Sequence, residues 1–414
     1  MTHVSAPKPP ANATIISALT YGMFFLFAMT TDAVGEIIRI ARVEMDLSNT
    51  EASAFHWASM IAIAASGLGL GFLADRFGRK PVIILGLGVY MVANASFMLG
   101  QSFYLYLSLL FISGLAIGVF KTAALALIGD ISQSTEDHTV RMNKVEGFFG
   151  VGAIMGPMLV VVLTGQGFSW THLYGIAATL CALMVIIAAI TRYPEKAAPS
   201  ETPASFSRSL SFLHNRYALG FSLAIALYVA CEVAIFVWLP TFLDGFISDG
   251  IAGHFAAYAV MIFFTLRAAG RFLGAYVLQK ADWTIVILVF TALIFACFAL
   301  SVLMGREVAV YLLPLSGLFM SVIYPTLNSK GISCFPKSDH GAVAGLILFF
   351  TALSAAFSPL AMAFVSDSFG AGDMRIGFVL ATVFAAALCA GAFWNWQRRP
   401  VETALAQANR IQYS

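Results

Sequence analysis

The chain has 414 residues, 60% of them hydrophobic and 11% charged, with a mean hydropathy of +0.86, where a soluble domain carries about 45–50% apolar and about 25% charged residues. Its net charge of +2 is scattered along the chain and forms no basic face for nucleic acid. The composition excludes nucleic-acid readers and most enzyme folds, and predicts an all-α membrane protein.

In chain order, residues 1–13 are polar, with Lys8 and three prolines, and read as a cytoplasmic tail. The apolar run that follows lacks a small-residue cleavage site, so it is a retained helix rather than a signal peptide. Hydropathy then predicts spans near 14–38, 51–74, 81–100, 104–129, 142–164 and 170–191, an N-terminal six-helix bundle over 14–192. Residues 193–216, polar and bearing Pro, Ser and Ala, read as a cytoplasmic linker. A C-terminal bundle over 217–397 follows, with spans near 217–246, 253–279, 283–304, 308–333, 341–366 and 374–397, and then a tail over 398–414.

Sixteen of the 23 Lys and Arg fall in the connections and tails of one side, four in those of the other, and Lys121, Arg267 and Arg271 inside spans. That asymmetry predicts both termini in the cytoplasm of a multi-pass protein, with the bacterial inner membrane as the expected location. Cys181, Cys231, Cys297, Cys334 and Cys389 lack metal-ligand spacing and read as free thiols. Sliding the sequence on itself overlays GFLADRFGRK (71–80) on RFLGAYVLQK (271–280), and Gly156-Pro157 on Ser358-Pro359. The two bundles are therefore expected to be copies of one unit, as in carriers whose halves rock about a midplane site.

Between the second and third spans stands Gly71-Phe-Leu-Ala-Asp75-Arg76-Phe-Gly78-Arg79-Lys80. It resembles the loop signature of the major facilitator superfamily. The resemblance covers the whole chain and implies two pseudo-symmetric six-helix bundles, with Gly71, Asp75, Arg76, Gly78, Arg79 and Lys80 forming a conformational latch. Within the superfamily, GLAIGVFKTAALAL (114–127), the stretch from Arg141 to Ala153, YVACEVAIFVWLPTFL (228–243) and GLFMSVIYPT (317–326) resemble segments of the fucose permease-like family of sugar:proton symporters. The departures are Lys121 where that family has a glutamate, Glu146 where it has a glutamine, and Leu125 where it has an asparagine.

An ionised side chain at the bilayer centre costs about 2.5–3.5 kcal/mol on insertion scales, so each is a functional candidate. Asp32 stands where the family carries its proton, and Glu146 and Glu232 are the other candidates for proton coupling. Lys121 either pairs with Glu146 or Asp32 or binds an anionic group of the substrate. Arg267 either pairs with Glu232 or binds an acid; Arg271, one turn on, reads as an inner-end cation. Trp57, Asn143, Trp238, Tyr324 and Asn328 join Lys121 and Arg267 as candidates for substrate binding, by ring stacking and hydrogen bonds. Tyr90, Asn94, Phe149 and His56 are weaker candidates.

The function expected is proton-coupled import of a monosaccharide or sugar-derived acid by alternating access, the two unusual cations favouring the acid. The alternatives are efflux of drugs or metabolites, suggested by Gly152-x-x-x-Gly156-Pro157, and symport of an organic anion. No HExxH, paired-Cys or phosphate-loop motif points to an enzyme, a metal or a cofactor. The partners expected are the small substrate, protons and the lipid bilayer, and a single chain is sufficient for transport.

Overall fold

Apolar runs of twenty or more residues satisfy every backbone N–H and C=O internally only as helices, which is why lipid-embedded chains of this composition are helical. The computed structural model describes residues 12–69, 72–132, 135–193, 211–246, 251–336 and 339–402, and those residues carry helices and turns without a strand. Among them, eleven helices are long and apolar enough to cross a membrane. The expected second span is represented by Ala54–Gly69, which stops where the description breaks at residues 70–71. Most of the expected linker, residues 194–210, lies outside the described residues.

The chain divides into two units. The first comprises Met1–Ile40 and Ala54–Pro199. Its helices are α1 (Ala13–Thr31), the start of α2 (Val34–Glu44), α4 (Ala54–Gly69), α5 (Phe72–Phe77), α6 (Arg79–Ser96), α7 (Phe103–Ile131), α8 (Thr135–Gly165) and α9 (His172–Ile190). The main packing partners are α1 with α8, α4 with α7, and α6 with both α7 and α9. Small residues permit this: a Cβ at Gly152 or Gly156 of α8 would collide with the carbonyl oxygens of Phe25 or Met29 on α1. The two glycines are one turn apart and lie on the face that meets α1, the close-approach pattern of membrane helices.

The second unit comprises Ala41–Ser53 and Ser200–Ser414. It holds the end of α2, α3 (Asn49–Ala52), α10 (Arg216–Phe242), α11 (Ile251–Ala257), α12 (Ala259–Lys280), α13 (Trp283–Met304), α14 (Arg306–Met320), α15 (Ile323–Ser333), α16 (His340–Gly370) and α17 (Met374–Arg398). Here α10 packs on α16, α12 on α14, and α13 on both α14 and α17. Counted by span, this is the pairing of the first unit: first with fifth, second with fourth, third with fourth and sixth. Pro157 and Pro359 both sit inside the fifth span of their unit. The overlay of 71–80 on 271–280 holds less well. Residues 271–280 run as unbroken helix, whereas Gly78, at φ +91°, separates α5 from α6.

Besides single turn residues near the start of the second span, at Ser53, and of the eighth, at Tyr258, two expected spans are interrupted over two residues. The first breaks at Asp32-Ala33, between α1 and α2. Just before it, the Thr30 and Thr31 hydroxyls donate back to the carbonyls of Leu26 and Phe27, a local bond that competes with the helix ladder. The tenth breaks at Ser321-Val322, between α14 and α15. Pro325 follows four residues after Ser321, lacks an N–H and crowds the carbonyl one turn back, so the ladder cannot continue through this point.

Candidate functional site

In the first unit the deep charges gather around α1, α7 and α8. Asp32 caps the end of α1, is 8% exposed, and its Oδ1 accepts a hydrogen bond from the Thr31 hydroxyl at 3.3 Å. The Lys121 ammonium on α7 lies 4.7 Å from the ring centre of Phe27 and 5.7 Å from that of Phe24. Glu146 and Asp32 are the carboxylates whose charge reaches it. The close partners of Lys121 are thus aromatic faces, a cation–π arrangement, with the two carboxylates as more distant counter-charges. Phe149 packs edge-on against Phe27 and completes the aromatic side. Asn143 and Glu146, three residues apart on α8, share an exposed face.

In the second unit the Glu232–Arg267 pair is closed, with Arg267 Nη1 2.5 Å from Glu232 Oε1. Of the two alternatives the sequence left open for Arg267, an ion pair or an acid-binding arginine, the structure contains the first. One turn before Glu232, the Tyr228 hydroxyl is buried and lies beside the Glu232 carboxylate, with Arg267 and Arg271 in electrostatic reach. The Tyr324 ring lies 6.2 Å from that of Tyr228, and Asn328, half-buried, is one turn further along α15. The break at Ser321-Val322 therefore sits beside a tyrosine pair and an ion pair. Tyr228 escaped the sequence reading because an apolar span full of aromatic residues hides one buried hydroxyl; its spacing of four from Glu232 was the available signal.

Other candidates go elsewhere. Trp238 is fully buried, and its indole N–H donates to the Pro359 carbonyl at 3.0 Å, so it ties α10 to α16. Trp57 is half-buried on α4. Tyr90 and Asn94 serve the interior of the first unit: the Tyr90 hydroxyl meets Thr30 and the Leu26 carbonyl, and the Asn94 amide donates to the Tyr90 carbonyl and to Ser113. His56 is 1% exposed and lines a small, mostly apolar pocket with Thr30, Val34, Phe55 and Met60. Arg271 is exposed.

Of the latch residues, Gly71 and the Asp75 side chain lie outside the described residues. Arg79 Nε pairs with Asp130 Oδ2 on α7 at 3.0 Å, and the Lys80 ammonium donates to the carbonyls of Ala189 and Thr191. Lys80 thus caps the carbonyl-rich C-terminus of α9, where a cation is favoured. Arg76 is exposed, with its guanidinium over the Phe77 ring.

The constellation is that of a solute carrier: titratable groups inside spans, helix breaks beside them, and two units with the same internal pairing. Comparison with known proteins agrees. The chain is 24% identical over 395 residues to the L-fucose-proton symporter of Escherichia coli K12, covering 85% of this chain and 87% of that one. It is 22% identical over 363 residues to a glucose/galactose transporter of Brucella abortus, covering 84% and 87%. Over 187 residues it is 28% identical to the multidrug resistance protein MdtL of Escherichia coli, covering 44% and 47%. Among solved structures, a bacterial homolog of the human lysosomal transporter Spinster superposes with a TM-score of 0.75 at 14% identity, covering 97% and 99%. The model of the Major Facilitator Superfamily matches residues 12–359, and on that match and this fold the chain is a member of the major facilitator superfamily.

Proposed function

We propose that this protein is a proton-coupled importer of a monosaccharide or sugar-derived acid, working by alternating access in a bacterial inner membrane with both termini cytoplasmic. The observation that carries the reading is Asp32: a nearly buried carboxylate at a break in a membrane span, within electrostatic reach of Lys121. Taking up a proton there removes a charge from the membrane interior and leaves Lys121 with one counter-charge fewer. Lys121 is then available to an acceptor on the substrate, which couples the proton to the load. In the second unit the Arg267 guanidinium, paired with Glu232, is a planar fork of the kind that suits a carboxylate or a diol. Tyr228 and Tyr324 supply a hydroxyl and ring faces beside it. The sugar-transporting names of two relatives support the substrate class.

Reconstituted protein tests this directly. Asp32→Asn is expected to abolish proton-driven accumulation while sparing exchange of substrate across the membrane; undiminished accumulation in that variant overturns the role of Asp32.

A second reading, efflux of drugs or metabolites, is favoured by the partial likeness to MdtL. The Gly152-x-x-x-Gly156 motif adds nothing to it, because both glycines have a packing role against α1. Raised tolerance of an expressing strain to several unrelated toxins would favour efflux.

A further inference from the structure

A cavity of about 350 Å³ lies within the second unit, inside the range of about 300–1,000 Å³ typical of small-molecule sites. Its innermost lining residue on α10, Ala224, is eight residues short of Glu232, about 12 Å of helix, so the cavity is separate from the ion pair. The cavity is a slot between α10 and α17, and it exists because both walls are low. A Cβ placed on Gly220 or on Gly391 would meet nothing within 4 Å. Gly220 and Gly391 are both exposed, so the slot is open at the surface, and while empty its apolar lining forfeits dispersion contacts. An apolar slot kept open by glycine on both sides is therefore suited to a guest rather than to collapse.

The rim states the chemistry of that guest. Arg216 is exposed, donates to the Tyr217 hydroxyl at 3.0 Å, and forms no ion pair among the described residues. Across the slot, Asn395 presents a buried side-chain oxygen that accepts no hydrogen bond among the described residues. The rim therefore offers a fixed cation to an anionic acceptor, and an acceptor to a donor, above an apolar trough. Several further cations stand at this same end of the helices, with Lys330 over the Trp283 ring, Lys280 ending α12 and Arg399 beside Asp282. Trp394 is 57% exposed at the rim. Clustered cations with tryptophan mark the headgroup level of a membrane.

We propose that this slot is a binding site for one anionic phospholipid with a hydroxylated headgroup. The phosphodiester meets Arg216, a headgroup hydroxyl donates to Asn395, and an acyl chain fills the trough between Gly220 and Gly391. The site is independent of the transport reading.

The test is native mass spectrometry of the full chain, stripped of lipid in detergent and titrated with phosphatidylglycerol or phosphatidylcholine. The expected result is a one-lipid adduct with phosphatidylglycerol, at least tenfold weaker with phosphatidylcholine. Gly391→Leu should remove the adduct by filling the trough, with Gly220→Leu as the second variant if the first fails to fold. Arg216→Gln should weaken it about tenfold, and Lys280→Gln, outside the slot, should leave it intact. Melting temperatures of the lipid-free variants establish that the fold persists. Equal binding of both lipids overturns the proposal, as does an adduct undiminished in the Gly391 and Arg216 variants. Absence of any adduct overturns it too.

Discussion

Arg267 on α12 holds Glu232 on α10 through an ion pair of 2.5 Å between Nη1 and Oε1, inside the apolar stretch of both helices. The pair is 20% and 11% exposed at its side chains, so each charge depends on the other for solvation. Breaking such a pair from one side costs about 3–5 kcal/mol, whereas removing both charges is often nearly neutral. Arg267→Ala is therefore expected to lower the melting temperature in detergent far more than the double variant Glu232→Gln/Arg267→Gln. If the pair also serves transport, the double variant folds but takes up substrate at least tenfold more slowly. Equal melting temperatures for the single and double variants would contradict the first expectation.

Lys121 rests on aromatic faces rather than on a carboxylate, an arrangement worth about 0.5–2 kcal/mol that a substrate anion can displace. A thermal-shift screen at two pH values should find that Lys121→Gln loses stabilisation by uronic and other sugar acids while keeping that by neutral hexoses. Loss of both to the same extent would make Lys121 a structural counter-charge of Asp32 and Glu146.

Gly152 and Gly156 allow α8 to touch the backbone of α1, and Gly150, on another face, has nothing within 4 Å of an added Cβ. Overpacking of a tight contact costs about 1–3 kcal/mol, and more where backbone must shift. Gly156→Val should abolish folded protein in a size-exclusion profile; Gly150→Ala should be silent.

Asp367 near the end of α16 accepts from the Thr50 amide at 2.7 Å, the Thr50 hydroxyl at 2.6 Å and the Asn49 amide at 3.3 Å, all in the second unit. Hydrogen bonds to a charged acceptor are worth about 1.5–3 kcal/mol each. Asp367→Ala should release the Ala41–Ser53 segment, read as faster hydrogen exchange at Asn49 and Thr50 with little change in α10. Unchanged exchange there would show that the capping box of Ser48 and Glu51, with the Asn49 side-chain bonds to Ser366 and Gly372, holds the turn without Asp367.

Asp282 caps α13 just outside the span, and the hydrogen bond from the Thr284 side chain, helped by the Thr284 amide and Arg399, holds its carboxyl below the usual carboxylate range. A depressed folded value means that the stabilisation is present above the unfolded value of about 3.9 and is lost as pH falls through the folded value. Between pH 5 and 8 it is constant. Asp282→Ala should cost about 1 kcal/mol as a lost cap across that range, and the gap in melting temperature from the parent should narrow as pH falls through the lowered folded value. A difference that does not narrow as pH falls would assign the effect to packing.

By itself the sequence determined the membrane class, the span count to within the described residues, the superfamily and the identity of the buried charges. Each follows from composition, from periodic hydrophobicity or from a contiguous motif such as Gly71–Lys80, all of which are local. Tertiary structure decided who meets whom. That Arg267 pairs with Glu232, that Lys121 sits over Phe27 and that Lys80 caps α9 depend on helices distant in sequence being pressed together, and their register is set by small residues such as Gly152 and Gly156. Trp238 shows the same limit from the other side: its type suited a ligand, and the packing of α10 on α16 made it a tie to Pro359. The breaks at Asp32 and Ser321 lay between these extremes. Threonine back-bonding and Pro325 were visible, but hydropathy averages over about twenty residues and passes smoothly over a two-residue interruption.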